Sequence, residues 1–333
     1  MFVLDSYAWA VVFCVITMFC WGSWANTQKL AQKDWRFELF YWDYAIGVVL
    51  LSLLFGLTLG SVGSEGRSFL QDLSQASRGS LGSAFIGGVI FNAANILLVA
   101  AIAIAGMAVA FPVGIGLALA LGVVVNYIAS PLGNPVLLFA GVGFVILAII
   151  LDAIAYRRLP SQSGGVTGKG LGLSVACGIL MGFFYRFVAA SMSADFVNLE
   201  AGKMGPYAAV FVFSVGVLVS NFLFNTLIMK KPFVGEPVSA SAYFQGGLPT
   251  HLIGVLGGLI WGVGMSFSII ASGQAGFAIS YGLGQGATMI AALWGVFVWK
   301  EFKEAPAGTN KFIALMFICF AVGLVMIILA RNV

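Results

Sequence analysis

Charge is what this sequence has least of. Only 8% of its 333 residues are Asp, Glu, Lys or Arg, where soluble domains carry roughly 25%. With 61% hydrophobic residues beside so little charge, the chain has no surface to offer water, which excludes a soluble globule. Histidine occurs once, at His251, and no nucleophile–histidine–acid set forms around it, so nothing supports an enzyme. The cysteines Cys14, Cys20, Cys177 and Cys319 all fall inside apolar runs, without disulfide or metal-ligand spacing. No metal and no cofactor is expected, and no nucleic-acid-binding domain is present. No basic leader precedes the first apolar run, only Asp5, which reads as a retained first helix and not a cleaved signal. Two glycine-rich stretches imitate nucleotide sites. Gly165-Val166-Thr167-Gly168-Lys169-Gly170 lacks the spacing and the Ser or Thr that a phosphate loop requires. Gly282-Leu283-Gly284-Gln285-Gly286 follows no strand and is no dinucleotide fingerprint.

What is there is apolar length. A bilayer is crossed by about 20 residues of helix, and only helices and closed barrels satisfy their backbone in lipid. These runs are apolar on every side, which fits helices and not barrel strands. Ten spans can be marked, at 7–28, 40–60, 83–105, 107–128, 135–156, 170–190, 206–229, 251–272, 275–298 and 311–330. Short joints at Gly106 and at Ser272-Gly273-Gln274 make tight hairpins of spans 3–4 and 8–9.

The chain also repeats itself. Residues 87–116 align without a gap on 257–286, an offset of 170, with identities at nine of 30 positions that include glycines at both ends. We therefore read two five-helix units, 1–156 and 170–333, joined by a short linker at 157–169. An odd number of spans per unit sends the second copy into the membrane from the opposite side. The expected fold is an all-α polytopic membrane protein with ten transmembrane helices as a 5+5 inverted repeat, a construction common in secondary transporters. Eleven Lys and Arg residues lie on the side holding the 157–169 linker and five on the other. By the positive-inside rule both termini are expected outside and the linker in the cytoplasm.

A transporter needs polar groups near the midplane, where they are costly enough to require a reason. Asn92 and Asn95, three apart, share one face of span 3, and Gln285 lies midway along span 9. These side chains serve either a substrate or an interhelical hydrogen bond. Pro112, Gly114 and Gly116 in span 4, with Gly282, Gly284 and Gly286 in span 9, are paired interruptions in matching spans, the strongest sequence pointer to a transporter site. Close helix packing is the alternative, and the small-residue spacings Gly254/Gly258/Gly262 and Gly178/Gly182 serve packing. Trp21, Trp24, Phe111, Tyr185, Trp261 and Tyr281 cluster near one depth, suited to stacking a flat ligand or to filling the core. Trp9 and Trp35 fit an interfacial belt.

Asp43 is the one carboxylate well inside an apolar run. A carboxyl in such surroundings takes up a proton more readily, which suits a proton-coupled carrier; an acid favoured by the helix N-terminus is the alternative. Asp152 is expected to pair with Arg157 and Arg158. Arg186 is expected to snorkel, and His251 to sit at the interface.

With Trp42-Asp43-Tyr44 opening span 2, Gly106-Met107-Ala108-Val109, Ala275-Gly276-Phe277-Ala278, and Trp294-Gly295-Val296 with Glu301 closing span 9, the chain resembles the drug/metabolite transporter superfamily. Within it the ureide permease family stands closest, beside the glucose/ribose/rhamnose porters. The resemblance implies proton-coupled import of neutral heterocycles such as allantoin, other ureides or nucleobases, across the inner membrane of a bacterium. Plant members have a longer central loop with a Walker-like segment, which this chain lacks. The expected partners are thus a small solute, the proton and the lipid bilayer. The expected ligand set is Asn92, Asn95, Gln285, Trp261, Tyr281, Trp21, Tyr185 and Phe111, with Asp43 handling the proton. A monosaccharide porter, a drug exporter and a membrane scaffold without flux are the rival readings.

Overall fold

The computed structural model describes residues 1–31, 35–159 and 167–331. Lys33 and most of the linker, with Gly165 and Val166, lie outside these. Numbering only the long helices, the order is α1 Tyr7–Ser23, α2 Phe37–Leu57, α3 Arg78–Ala105, α4 Met107–Ala129, α5 Pro135–Arg157, α6 Gly168–Ser191, α7 Pro206–Lys230, α8 Leu248–Ala275, α9 Phe277–Val298 and α10 Thr309–Leu329. Among the described residues nine of these are long and apolar enough to cross a bilayer, and α1 is apolar but shorter at 17 residues. The protein is an all-α polytopic membrane protein, as expected from its apolar runs.

The helix ends differ from the sequence reading where water competes. Helix α3 starts at Arg78, because the Ser77 side chain accepts the backbone N–H of Ser80 and caps a polar first turn. Helix α1 stops at Ser23, and the chain turns before the short helix Asn26–Leu30.

Helices α3 and α8 are 28 residues each, and their boundaries are 170 apart. They end on Gly106 (φ 74°, ψ 166°) and Gly276 (φ 81°, ψ 156°). That conformation belongs essentially to glycine alone, which is how the chain turns straight into α4 and α9. Helix α3 packs on α6 and α7, and α8 packs on α1 and α2, while α5 pairs with α10 and α2 with α7. These pairings are unchanged when the first five helices are exchanged for the second five.

Glycine lets the backbones meet, the usual source of helix affinity in lipid. A methyl group on Gly88 would strike the Phe213 carbonyl of α7, and one on Gly258 the Tyr44 carbonyl of α2. The spacings expected to serve packing do so: Gly254 and Gly262 also face α2, at Asp43 and Leu51, while Gly178 and Gly182 face α4 at Gly114 and Leu121. Pro112 removes a backbone donor, and α4 widens into a π-turn over Phe111–Ile115. Helix α9 breaks after Gly284 and resumes at Ala287.

Alanine at Gly276 would meet the Leu132 side chain at 2.8 Å besides adopting a forbidden φ. We expect Gly276→Ala to cost about 1–3 kcal/mol, read as a lower midpoint of thermal unfolding in detergent. An unchanged midpoint would refute the claim that this joint requires glycine.

Candidate functional site

Trp261 of α8, 4% exposed, is the hub of a cluster of rings. Its indole lies 4.4 Å from Phe91 of α3, 5.9 Å from Trp21 of α1 at an interplanar angle of 15°, and 6.0 Å from Phe213 of α7 at 18°. Tyr44 of α2 meets it edge-on at 6.2 Å. Tyr44 in turn stacks on Tyr41 at 5.1 Å and leans on Trp24 at 4.6 Å. Phe184 of α6 extends the cluster from Phe91 towards Tyr185 and Tyr281, which lie 5.2 Å apart. Aromatic pairs in these offset and edge-on geometries attract beyond simple burial.

Polar atoms are set among these rings. The Asn95 amide donates to the Tyr41 hydroxyl at 3.0 Å, both side chains being buried. The Tyr44 hydroxyl and the Trp21 indole N–H, on two rings that contact Trp261, are buried with no partner among the described residues. Buried polar groups are nearly always hydrogen-bonded, so two free ones beside a single indole are unusual. The other tyrosines differ. Tyr281 donates to the carbonyls of Ala118 and Met181, each at 3.1 Å. Tyr185 meets the hydroxyls of Ser268 at 3.1 Å and Ser280 at 3.5 Å.

The expected site residues therefore separate. Asn95, Trp21 and Trp261 come together, with Tyr185 and Tyr281 adjoining. Gln285 is buried, next to Gly284, where an added methyl group would come within 2.8 Å of the Trp21 ring. Asn95 bonds Tyr41 instead, and no hydrogen bond joins the two amides among the described residues. Asn92 is spent between helices, donating to the Val217 carbonyl at 3.2 Å and the Ser220 hydroxyl at 2.9 Å. Phe111 is half-buried in the π-turn, outside this set of stacked rings among the described residues. Gly114 packs on α6, Gly282 on Val123, Gly286 on Met18 and Leu324, and Gly116 borders open space. Tyr41 and Tyr44, absent from the expected ligand set, are as central as any residue in it. Their i, i+3 spacing on α2 was the signal available.

Between Tyr41 and Tyr44 on α2 lies Asp43, 2% exposed. The Nδ1 atom of His251, in the first turns of α8, lies 3.0 and 2.9 Å from its two carboxylate oxygens. The Tyr243 hydroxyl donates to the same carboxylate at 2.5 Å. Trp35 covers the imidazole edge-on at 5.3 Å, and Gly254 makes room for the carboxylate. Burial, then the neighbouring Asp43, raise the Tyr243 hydroxyl well above the ordinary phenol range, so it stays a donor. His251 is therefore not simply an interfacial residue: its imidazole is held against the carboxylate of the buried acid. Asp152 departs from expectation differently. It is buried, and it is in none of the ion pairs found among the described residues; Arg158 turns instead to the Ala307 carbonyl and the Phe312 ring.

Comparison with known proteins agrees with this architecture. One solved crystal structure matches with a TM-score of 0.59 and 16% identity, covering 97% of this chain and 98% of the other, a likeness of fold. Ureide permease 1 of Arabidopsis thaliana is 20% identical over 389 residues, covering 100% of this chain and 99% of the relative. Ureide permease 4 of the same plant is 21% identical over 400 residues, again with 100% and 99% covered. A Streptococcus agalactiae protein named for sugar uptake is 25% identical over 171 residues, 49% of this chain and 59% of that protein. The ureide permease profile itself matches residues 40–163 and 157–330. With nearly the whole of α2 to α10 matched, the chain belongs to the ureide permease family.

Proposed function

We propose that this protein is a secondary transporter that imports a small neutral solute of the ureide or nucleobase type, coupled to protons, by alternating access. The observation that carries the reading is the pair of free buried groups, the Tyr44 hydroxyl and the Trp21 N–H, flanking the Trp261 indole. A flat, hydrogen-bonding heterocycle fits such a setting: rings contact its faces, while Tyr44, Trp21 and Asn95 bond its edges. Gln285 of α9, beside Gly284 at the Trp21 ring, and the Tyr185 hydroxyl of α6 with Ser268 of α8 and Ser280 of α9 add polar atoms around the same rings. The names of the full-length plant relatives support the substrate class.

In this reading Asp43 takes and releases the proton, and His251 and Tyr243 hold the carboxylate ready. The moving parts are the two five-helix units, 1–156 and 170–333. The equal lengths and equal glycine endings of α3 and α8, with the exchange-symmetric helix pairing, support that division. The excess of Lys and Arg on the linker side supports termini outside and the linker in the cytoplasm.

A monosaccharide porter is the second reading, favoured by the streptococcal relative. Uptake of labelled allantoin or uracil into proteoliposomes, with and without an imposed pH gradient, tests the first. Gradient-dependent accumulation is expected, and uptake of sugars alone would transfer the assignment to the second. Removing one hydrogen-bonding or stacking group is worth about 1–3 kcal/mol. Asn95→Ala and Trp261→Ala should therefore each raise the half-saturating concentration about five- to a hundredfold; wild-type affinity in both would exclude this pocket.

Asp43→Asn should abolish gradient-driven accumulation while leaving solute-for-solute counterflow, because exchange of the loaded carrier moves no net proton. Full gradient-driven accumulation by the variant would remove Asp43 from the coupling step.

A further inference from the structure

Helix α7 carries a buried polar face of Ser214, Asn221 and Asn225. Asn225 donates to the Glu38 carbonyl of α2 at 2.7 Å, and Ser214 bonds Ser52 of α2 at 2.7 Å. On the other side, Asn92 of α3 reaches Val217 and Ser220. Asn221 lies one turn past Val217 and one turn before Asn225. On α3, which runs parallel to α7, one turn past Asn92 is Asn95. On antiparallel α2, one turn from Glu38 is Tyr41. Helix register thus brings Asn221 to the level of the bonded Asn95–Tyr41 pair. Asn221 is fully buried, and both ends of its amide, Nδ2 and Oδ1, lack a partner among the described residues. Asn92, Asn95 and Asn225 each spend Nδ2 on the protein. A cavity of about 420 Å³ opens between the same three helices one to two turns away, lined by Phe37, Glu38, Ile96 and Ile228.

We infer that Asn221 is a specificity-determining ligand that reads the cyclic amide edge of the solute. A free carboxamide offers a donor and an acceptor side by side, the complement of a ring N–H next to a ring C=O. Two parallel hydrogen bonds form, the Nδ2–H to the ring carbonyl and the ring N–H to Oδ1. Ureides, hydantoins and uracil carry that edge; a monosaccharide does not, and N-methylation of the ring removes its donor. The cavity under Glu38 is the approach to this position. A site built to hydrogen-bond such an edge rejects analogues lacking it far more strongly than an apolar wall does. This inference rests on the transport reading above, since it concerns the same solute.

The test is a binding panel on purified wild type and Asn221→Leu, using hydantoin, uracil and 1,3-dimethyluracil, with thermal unfolding of both proteins free of ligand. Wild type should prefer uracil to 1,3-dimethyluracil at least tenfold, and Asn221→Leu should abolish that preference. Leucine should also leave the unfolding midpoint of the free protein equal or higher, because a buried amide without partners stabilises nothing. Unchanged discrimination in a variant of a wild type that binds uracil would overturn the role of Asn221 alone. A midpoint lowered by the leucine would overturn it too, by exposing a structural bond. No binding of any cyclic amide by wild type would instead overturn the transport reading and this inference with it.

Discussion

Hydrocarbon offers a polar group nothing, and that constraint sets both the fold and the meaning of its exceptions. It forces the backbone into helices, and it leaves helix association to close contact at small residues such as Gly88 and Gly258. It also makes hydrogen bonding a measure of purpose. Tyr281 and Tyr44 are both fully buried, and both belong to the same cluster of rings. The Tyr281 hydroxyl ties α9 to α4 and α6 through two carbonyls, so its chemistry is exhausted by the fold. Tyr44 presents a hydroxyl that the fold does not use. Depth and residue type are the same; only the accounting of partners separates a structural tyrosine from an available one.

Much of the architecture was legible because it depends on local chemistry. Apolar length gave ten spans, and Gly106 marked the first hairpin; the second was expected at Ser272-Gly273-Gln274, but α8 runs on through these residues and turns at Gly276, the one with a positive φ. The site was legible in part. Trp21, Trp261 and Asn95 do converge, but sequence could not tell that Asn92 would be consumed by Val217 and Ser220, or that Asn95 would bond Tyr41 and not Gln285. Those outcomes are decided by which faces of α1, α2, α3, α7 and α8 meet, and periodicity is mute where a helix is apolar all round. Asp43 and His251 were each noticed, yet their 208-residue separation hid the pair. Asp152 misled in the opposite way: arginines five and six residues on suggested a partner, but the helix carries them to a different face and a different level.

Helix α2 joins the two chemistries. Tyr41, Asp43 and Tyr44 occupy little more than one turn, and α8 supplies the counterpart of each end: His251 for Asp43 and Trp261 for Tyr44. One turn beyond Tyr44 the two backbones touch at Gly47 and Gly258. On the proposed coupling, a proton that loosens Asp43 from His251 acts on the same turn of α2 that carries Tyr41 and Tyr44. No long relay is needed, because both events bear on one helix pair.

The proposed duplication gives that helix pair its setting. Phe91 and Trp261 are equivalent positions, 170 apart, and their rings are 4.4 Å from each other. A residue that touches its own counterpart lies beside the axis relating two copies, so any rocking of one five-helix unit against the other must be accommodated at this contact. The polar groups do not share the symmetry. The positions matching Asn92 and Asn95 are Gly262 and Met265, and the residue that meets Gly88 as Tyr44 meets Gly258 is Phe213, which has no hydroxyl. Symmetric rings can slide past one another in either direction of a rocking motion, since stacking tolerates lateral shifts, whereas hydrogen bonds do not. On the proposed rocking motion, rings near the axis would keep the seam closed, while unmatched amides and hydroxyls from both units, Asn95 and Tyr44 on one side and Asn221 and Gln285 on the other, would fix which solute the motion carries.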